Sequence, residues 1–146
     1  MKILVLNGPN LNILGKRDPK HYGTATLSEI NKELEKIAKE HGVSLIFFQS
    51  NHEGELIDFI QNKADKVAGI LINPGGLTHY GYSLHDALED TKLPIVEVHL
   101  SDLTTREDFR EIDIFTPIVV ERVMGMKEKS YTVGLEKLIN HVKQNI

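Results

Sequence analysis

The sequence predicts an α/β protein in which five short apolar strands form one parallel sheet covered by helices on both faces. Three observations carry that prediction. The run Ala68-Gly69-Ile70-Leu71-Ile72 is unbroken and rich in branched side chains, which suits a strand buried on both faces. It stops at Asn73, where Pro74 and Gly75 prevent continuation, and the run from Lys2 to Asn7 stops in the same way at Gly8-Pro9. Between the strand-like runs lie segments with apolar residues at helical spacing, and this alternation implies right-handed parallel crossovers.

In chain order, Lys2 to Asn7 is the first strand. The connection over residues 8–25 contains Gly8, Pro9, Gly15, Pro19 and Gly23, and so long a loop in a compact domain is functional or disordered. Thr26 and Glu29 form a capping box before Leu27, Ile30, Leu34, Ile37 and Ala38, and Gly42 is placed to end that helix. Val43 to Phe48 is the second strand. Ser50 and Glu53 repeat the capping-box spacing ahead of Leu56, Ile57, Ile60 and Ala64. After the central strand, Tyr82 to Thr91 is a helix with Leu84, Ala87 and Leu88 on one stripe, ended by Pro94. Ile95 to His99 is the fourth strand, and Thr104 and Glu107 open a short helix through Phe109. Pro117 to Val123 is the fifth strand, and Leu135, Leu138, Ile139 and Val142 mark a closing helix. The pattern fits a flavodoxin-like three-layer sandwich with strand order 2-1-3-4-5.

Composition narrows the functional classes. The 146 residues suit one domain with one substantial core. A formal net charge of -4 with 26% charged residues does not favour a nucleic-acid backbone as partner. There is no cysteine, which removes disulfides, thiol catalysis and cysteine-ligated metals. No apolar run approaches the roughly 18 residues of a membrane span, and Leu4-Val5-Leu6 is too short for the core of a signal peptide. A cytoplasmic location is expected.

Ligands bind at the carboxyl ends of strands in open α/β sheets, so function is sought there. Asn7, Gln49, Asn73 and His99 end four strands at that edge. Glu97 lies two residues before His99, hence on the same strand face, where a buried carboxylate needs a partner and an imidazole is a good one. Glu97 then orients His99 as it would a catalytic acid or base; a purely structural ion pair uses the same two residues. His79, six residues beyond Asn73, can share a pocket with His99. The long first connection contains Arg17 and Tyr22, and a guanidinium beside a phenol favours the phenolate, a usable base; a solvated Arg and a half-packed Tyr are the plainer alternative. Leu100 and Ser101 offer backbone N–H groups for a carboxylate, and Arg110 can close over an anion or pair with Glu107 or Glu111. No phosphate-binding glycine loop is present.

Taken together, Asn7-Gly8-Pro9-Asn10-Leu11-Asn12-Ile13-Leu14-Gly15-Lys16-Arg17, Tyr22-Gly23, Gln49-Ser50-Asn51-His52-Glu53-Gly54, Asn73-Pro74-Gly75, Thr78-His79, Glu97-Val98-His99-Leu100-Ser101 and Arg106-Glu107-x-Phe109-Arg110 closely resemble type II 3-dehydroquinate dehydratase. The resemblance implies a single catalytic domain over residues 1–146 that dehydrates 3-dehydroquinate to 3-dehydroshikimate without metal or cofactor. It implies that Tyr22, activated by Arg17, is the base, that Asn73 stabilises an enolate, and that His99, oriented by Glu97, is the acid. Substrate contacts are then carried over to Asn10, Asn73, His79, Leu100, Ser101 and Arg110. Asp86 is implied to reach the site of a neighbouring subunit in a tetramer of trimers. Tyr80-Gly81-Tyr82, His85 and the segment from Ile112 to Tyr131, with Asp113, Glu121, Arg122 and Lys127 to Lys129, depart from the family pattern. Two other classes compete: a non-catalytic flavodoxin-like binding module, and a metal-dependent hydrolase using His79, His99 and Glu97.

Overall fold

The computed structural model describes residues 1–146. Strands β1 (Lys2–Asn7), β2 (Ser44–Gln49), β3 (Gly69–Asn73), β4 (Ile95–His99) and β5 (Glu121–Met124) form one parallel sheet in the order β2-β1-β3-β4-β5. That is the expected flavodoxin-like order. Helices α1 (Pro19–Tyr22), α2 (Leu27–Glu40), α3 (Glu53–Lys63), α4 (Tyr82–Asp90) and α5 (Lys129–Gln144) complete the layers.

The period of two along each strand sorts side chains between two cores. Ile3, Val5, Leu71, Val96 and Val98 pack with α2 and α5, while Leu4, Leu6, Ile70, Ile72 and Ile95 pack with α3 and α4. Interior strands β3 and β4 are buried along their whole length, whereas edge strand β2 is half-buried. Helix α5 lies close enough to β4 that a Cβ on Gly134 would sit 2.4 Å from Val98 Cγ1. Only glycine permits that approach, and it brings Tyr131, one turn earlier, fully into the interior.

Local chemistry fixes α2 as the sequence predicts. The Thr26 hydroxyl accepts from the Glu29 N–H at 3.1 Å and the Glu29 carboxylate accepts from the Thr26 N–H at 3.1 Å. At the other end the Val43 N–H reaches the Ala38 carbonyl at 2.8 Å and the Gly42 N–H that of Lys39 at 3.1 Å, with Gly42 at φ 69. These are the paired bonds of a glycine-ended helix.

Three local expectations are corrected. Ser50 and Glu53 do not form a capping box: the Ser50 hydroxyl accepts from the His52 N–H at 2.9 Å, and the Glu53 carboxylate accepts from the Leu84 N–H at 2.9 Å in the first turn of α4. A partner distant in sequence takes the carboxylate. Thr104 and Glu107 do not open a helix either, because Asp102 caps a short 3₁₀ turn at Leu103–Thr105 and a second turn follows at Asp108–Glu111. The fifth strand spans Glu121–Met124 and not residues 117–123, since Thr116–Ile118 forms another 3₁₀ turn with Pro117 inside it.

Two glycines bring the loops after β1 and β3 together at the carboxyl edge. A Cβ on Gly8 would lie 2.4 Å from the Pro74 carbonyl oxygen, and one on Gly75, at φ 61, would lie 2.8 Å from that of Pro9. No larger residue fits either place.

Candidate active site

The long first connection is built to present Tyr22. Leu11 and Leu14 are buried and anchor it. Asp18 accepts the Lys20 N–H at 3.0 Å and Pro19 opens α1, an N-terminus that suits both residues. Tyr22 is the last residue of that helix. Its oxygen accepts Arg17 Nη2 at 2.9 Å and Arg106 Nη1 at 2.7 Å. The Arg17 guanidinium also lies over the Tyr22 ring, 3.8 Å from its centroid. Arg106 additionally donates to the Ser101 hydroxyl at 3.3 Å. Two charge-assisted bonds thus converge on one phenolic oxygen.

Across from it, His99 ends β4 and is only 5% exposed. Its Nε2 lies 2.5 Å from Glu97 Oε2, as the shared strand face predicts. The charge state differs from the expected carboxylate. Burial, reinforced by the nearby Asp113, pushes Glu97 up to about 10, so it is an uncharged acid at neutral pH. Burial likewise pulls His99 down to about 4, leaving the imidazole neutral. With Glu97 protonated, the network assigns the His99 Nε2–H as donor to Oε2, and Nδ1 remains for the cavity.

Asn73, at the end of β3, is held on both sides. Its Oδ1 accepts the Gly75 N–H at 3.0 Å, and its Nδ2 donates to the Tyr131 oxygen at 2.9 Å. Tyr131 in turn donates to Asn7 Oδ1 at 2.6 Å, and burial pushes its phenol well above the ordinary range. Asn7 therefore serves as a support behind the site. Gln49, the fourth polar strand end, donates to the Gly8 carbonyl at 3.1 Å and to Asn51 at 3.2 Å. Gln49 braces loops and does not face the cavity.

The cavity measures about 430 Å³ and is walled by Arg17, Tyr22, Asn73, His79, His99 and Arg106. Asn10, Leu100, Ser101 and Arg110 also line it. His79 Nδ1 donates to the Ile112 carbonyl at 2.6 Å, and its ring stands edge-on to Phe109. That bond uses one ring nitrogen, and His79 does not join His99 and Glu97 in a group of ligating atoms; Asp113 does. The His79, His99 and Glu97 metal set is not assembled. Arg110 donates to Glu107 at 2.5 Å and so combines a cavity position with the surface pair. Asp86 lies outside the cavity, 75% exposed and 3.1 Å from His85.

The family model described as dehydroquinase class II matches residues 1–139. The chain belongs to the class II dehydroquinase family. Among its dehydroquinase relatives, the 3-dehydroquinate dehydratase of Halothermothrix orenii is 47% identical over 143 residues, 98% of this chain and 97% of that one. The 3-dehydroquinate dehydratase of Roseiflexus castenholzii is 50% identical over 139 residues, 95% of this chain and 88% of that one. The type II dehydroquinase structure from Butyrivibrio crossotus superposes with a TM-score of 0.91 at 38% identity, covering 94% of this chain and 97% of that one.

Within this candidate site, sequence reasoning missed three residues. Arg106 bonds Tyr22 across 84 positions; its only sequence signal was its place in the Arg106-Glu107-x-Phe109-Arg110 motif. Tyr131 reads as an ordinary helix residue, and Asp113 as a departure from the family pattern. Each acts through a partner that no local pattern reveals.

Proposed function

We propose that this protein is a 3-dehydroquinate dehydratase, a lyase that converts 3-dehydroquinate to 3-dehydroshikimate through an enolate. The carrying observation is that Tyr22, under two guanidinium donors, and His99, backed by Glu97, wall the same cavity. Tyr22, as phenolate, takes the proton from the carbon beside the ketone, and the electron pair moves onto the ketone oxygen. Arg17 and Arg106 stabilise the negative charge that the base carries before this step. Asn73 has one N–H on Tyr131 and the other left for a water held at the enolate oxygen, where oriented donors contribute most. The proton on Tyr22 is relayed across the cavity to the free Nδ1 of the neutral His99, and as the enolate expels the hydroxyl that Nδ1 proton goes to it and water departs. Tyr22 is again a phenolate and His99 again neutral, so the sum is substrate to product plus water. Asn10, His79, Leu100, Ser101 and Arg110 hold the substrate carboxylate and hydroxyls. No metal or cofactor takes part.

The chain acts as one catalytic domain over residues 1–146 in the cytoplasm; no helix is long and apolar enough to cross a membrane. It assembles as a tetramer of trimers, with Asp86 entering the site of a neighbouring subunit. Tyr80, Tyr82, Phe109 and Ile112 support this assembly, because they are 55% to 67% exposed apolar side chains, of which Tyr80 and Phe109 line the cavity. Sedimentation velocity should show a particle of twelve chains; a monomer would overturn the assembly.

The function is tested by adding 3-dehydroquinate and following the ultraviolet absorbance of the conjugated enone. The absorbance should rise, and should rise equally in the presence of a chelator. No rise removes the dehydratase reading, and loss of activity on chelation restores the metal-dependent alternative.

A further inference from the structure

On the Glu97 side of His99, side chains from three elements form a largely buried row of ionisable groups. Glu97 is fully buried, and while Oε2 meets His99, Oε1 has no hydrogen-bond partner. Asp113, in the loop before Thr116–Ile118, has a side chain only 2% exposed. Its Oδ1 accepts the Phe115 N–H at 2.9 Å, and its Oδ2 accepts Arg122 Nη1 at 3.0 Å. Arg122 is the β5 residue in register beside Glu97. Glu97, His99 and Asp113 bring their polar atoms within 4.8 Å of one another.

Two carboxylates this close and this dry cannot both stay ionised opposite one guanidinium. A single proton between Glu97 Oε1 and Asp113 removes the second negative charge and gives Oε1 its missing partner. The location of that proton follows from the other bonds. The Arg122 guanidinium and the Phe115 N–H both favour Asp113 as the anion, so the proton stays on Glu97.

We propose that Asp113, fixed by Arg122, is a positioning residue that keeps Glu97 an uncharged acceptor of the His99 Nε2–H. An ionised Glu97 would hold a proton on His99, whereas an uncharged one leaves an imidazolium formed at Nδ1 ready to release its proton to the departing hydroxyl. The other titratable group facing His99 from a neighbouring element is His79, after β3. Helix α5, packed on β4, buries no charged residue. Across the cavity stand Tyr22 and the guanidiniums already described. The inference deepens the acid role of His99 and rests on that reading.

The test is a nuclear magnetic resonance titration of the His99 ring in the resting protein, compared with Asp113→Asn. The new amide donates to Oε1 and lets Glu97 ionise, so the His99 midpoint should move up by about one pH unit or more. An unchanged midpoint overturns the proposal. A second measurement needs no Asp113 variant: the infrared band of a carboxylic acid should be present in the wild-type protein near neutral pH and absent in Glu97→Gln. Its absence from the wild type, or its survival in Glu97→Gln, overturns the proposal. Neither measurement reads turnover, so their failure is separable from failure of the enone assay.

Discussion

Tyr22 and His99 face the same cavity from supports of different kinds. Tyr22 closes a four-residue helix in a long surface connection, is half-buried, and has two guanidiniums aimed at its oxygen. His99 ends an interior strand, is nearly inaccessible, and rests on an acid that burial keeps uncharged. The proposed base is supported by added charge, the proposed acid by charge taken away. Arg17 is part-exposed and keeps part of its hydration, and the nearly buried Arg106 is held by the Tyr22 and Ser101 oxygens, while an ion pair inside the sheet would carry a large desolvation penalty. Each support therefore suits its depth, and each fails differently when disturbed.

The largest separation between the two sides should come from Tyr22→Phe. The ring stays, only hydrogen bonds of a half-buried loop are lost, and the fold should melt as before. The rate constant should fall by roughly 10²–10⁴-fold, the usual share of a positioned base. Steady-state assays of the enone beside a thermal melt check both halves; turnover within tenfold of wild type would place the base elsewhere.

The acid side should be exposed by pH instead. Glu97 is raised to about 10 in the fold, so between its ordinary value near 4.5 and about 10 the unfolded chain ionises while the folded one keeps its proton. Stability is then fully present below the ordinary value and lost as pH rises through that window. His99, lowered to about 4, acts oppositely but only below about 6.5. Above neutrality Glu97 acts alone of the two, with a slope on the order of 1 kcal/mol per pH unit. The melting temperature should drop by several degrees between about pH 7 and about pH 9, and Glu97→Gln should flatten that drop. An equal drop in both proteins would mean that Glu97 is already ionised at neutral pH.

The two sides also differed in how far the sequence alone revealed them. Glu97 and His99 lie two apart on one strand, so the period of the strand places them together. Arg17 and Tyr22 are five apart in one loop, and their meeting is local as well. Arg106 and Asp113 reach the site by tertiary closure, and no spacing announces a contact across 84 positions. The same limit explains the fold. The strands and the α2 caps followed from apolar runs and a local Thr-Glu pair, but the same spacing at Ser50 and Glu53 lost its carboxylate to α4. The apolar residues from Pro117 to Val120 read as a strand, yet proline cannot donate to a ladder. The real edge strand contains Glu121 and Arg122, charges that a half-exposed edge tolerates.

The smallest expected effect belongs to the support behind Asn73. Tyr131 is fully buried and links Asn7 at the end of β1 to Asn73 at the end of β3 through one hydroxyl. Tyr131→Phe keeps the ring and its packing, but leaves Asn7 Oδ1 and Asn73 Nδ2 without that partner in a dry interior. The loss should be about 1–3 kcal/mol, a decrease of several degrees in melting temperature. Asn73 then keeps only its Gly75 anchor and can rotate, so its donor no longer points at the water proposed beside the enolate. Because that water matters most in the transition state, kcat should fall by about tenfold while KM stays nearly constant. A stability loss with unchanged kcat would make Tyr131 a core residue alone. A loss in KM without kcat would mean that Asn73 binds the ground state and the enolate equally.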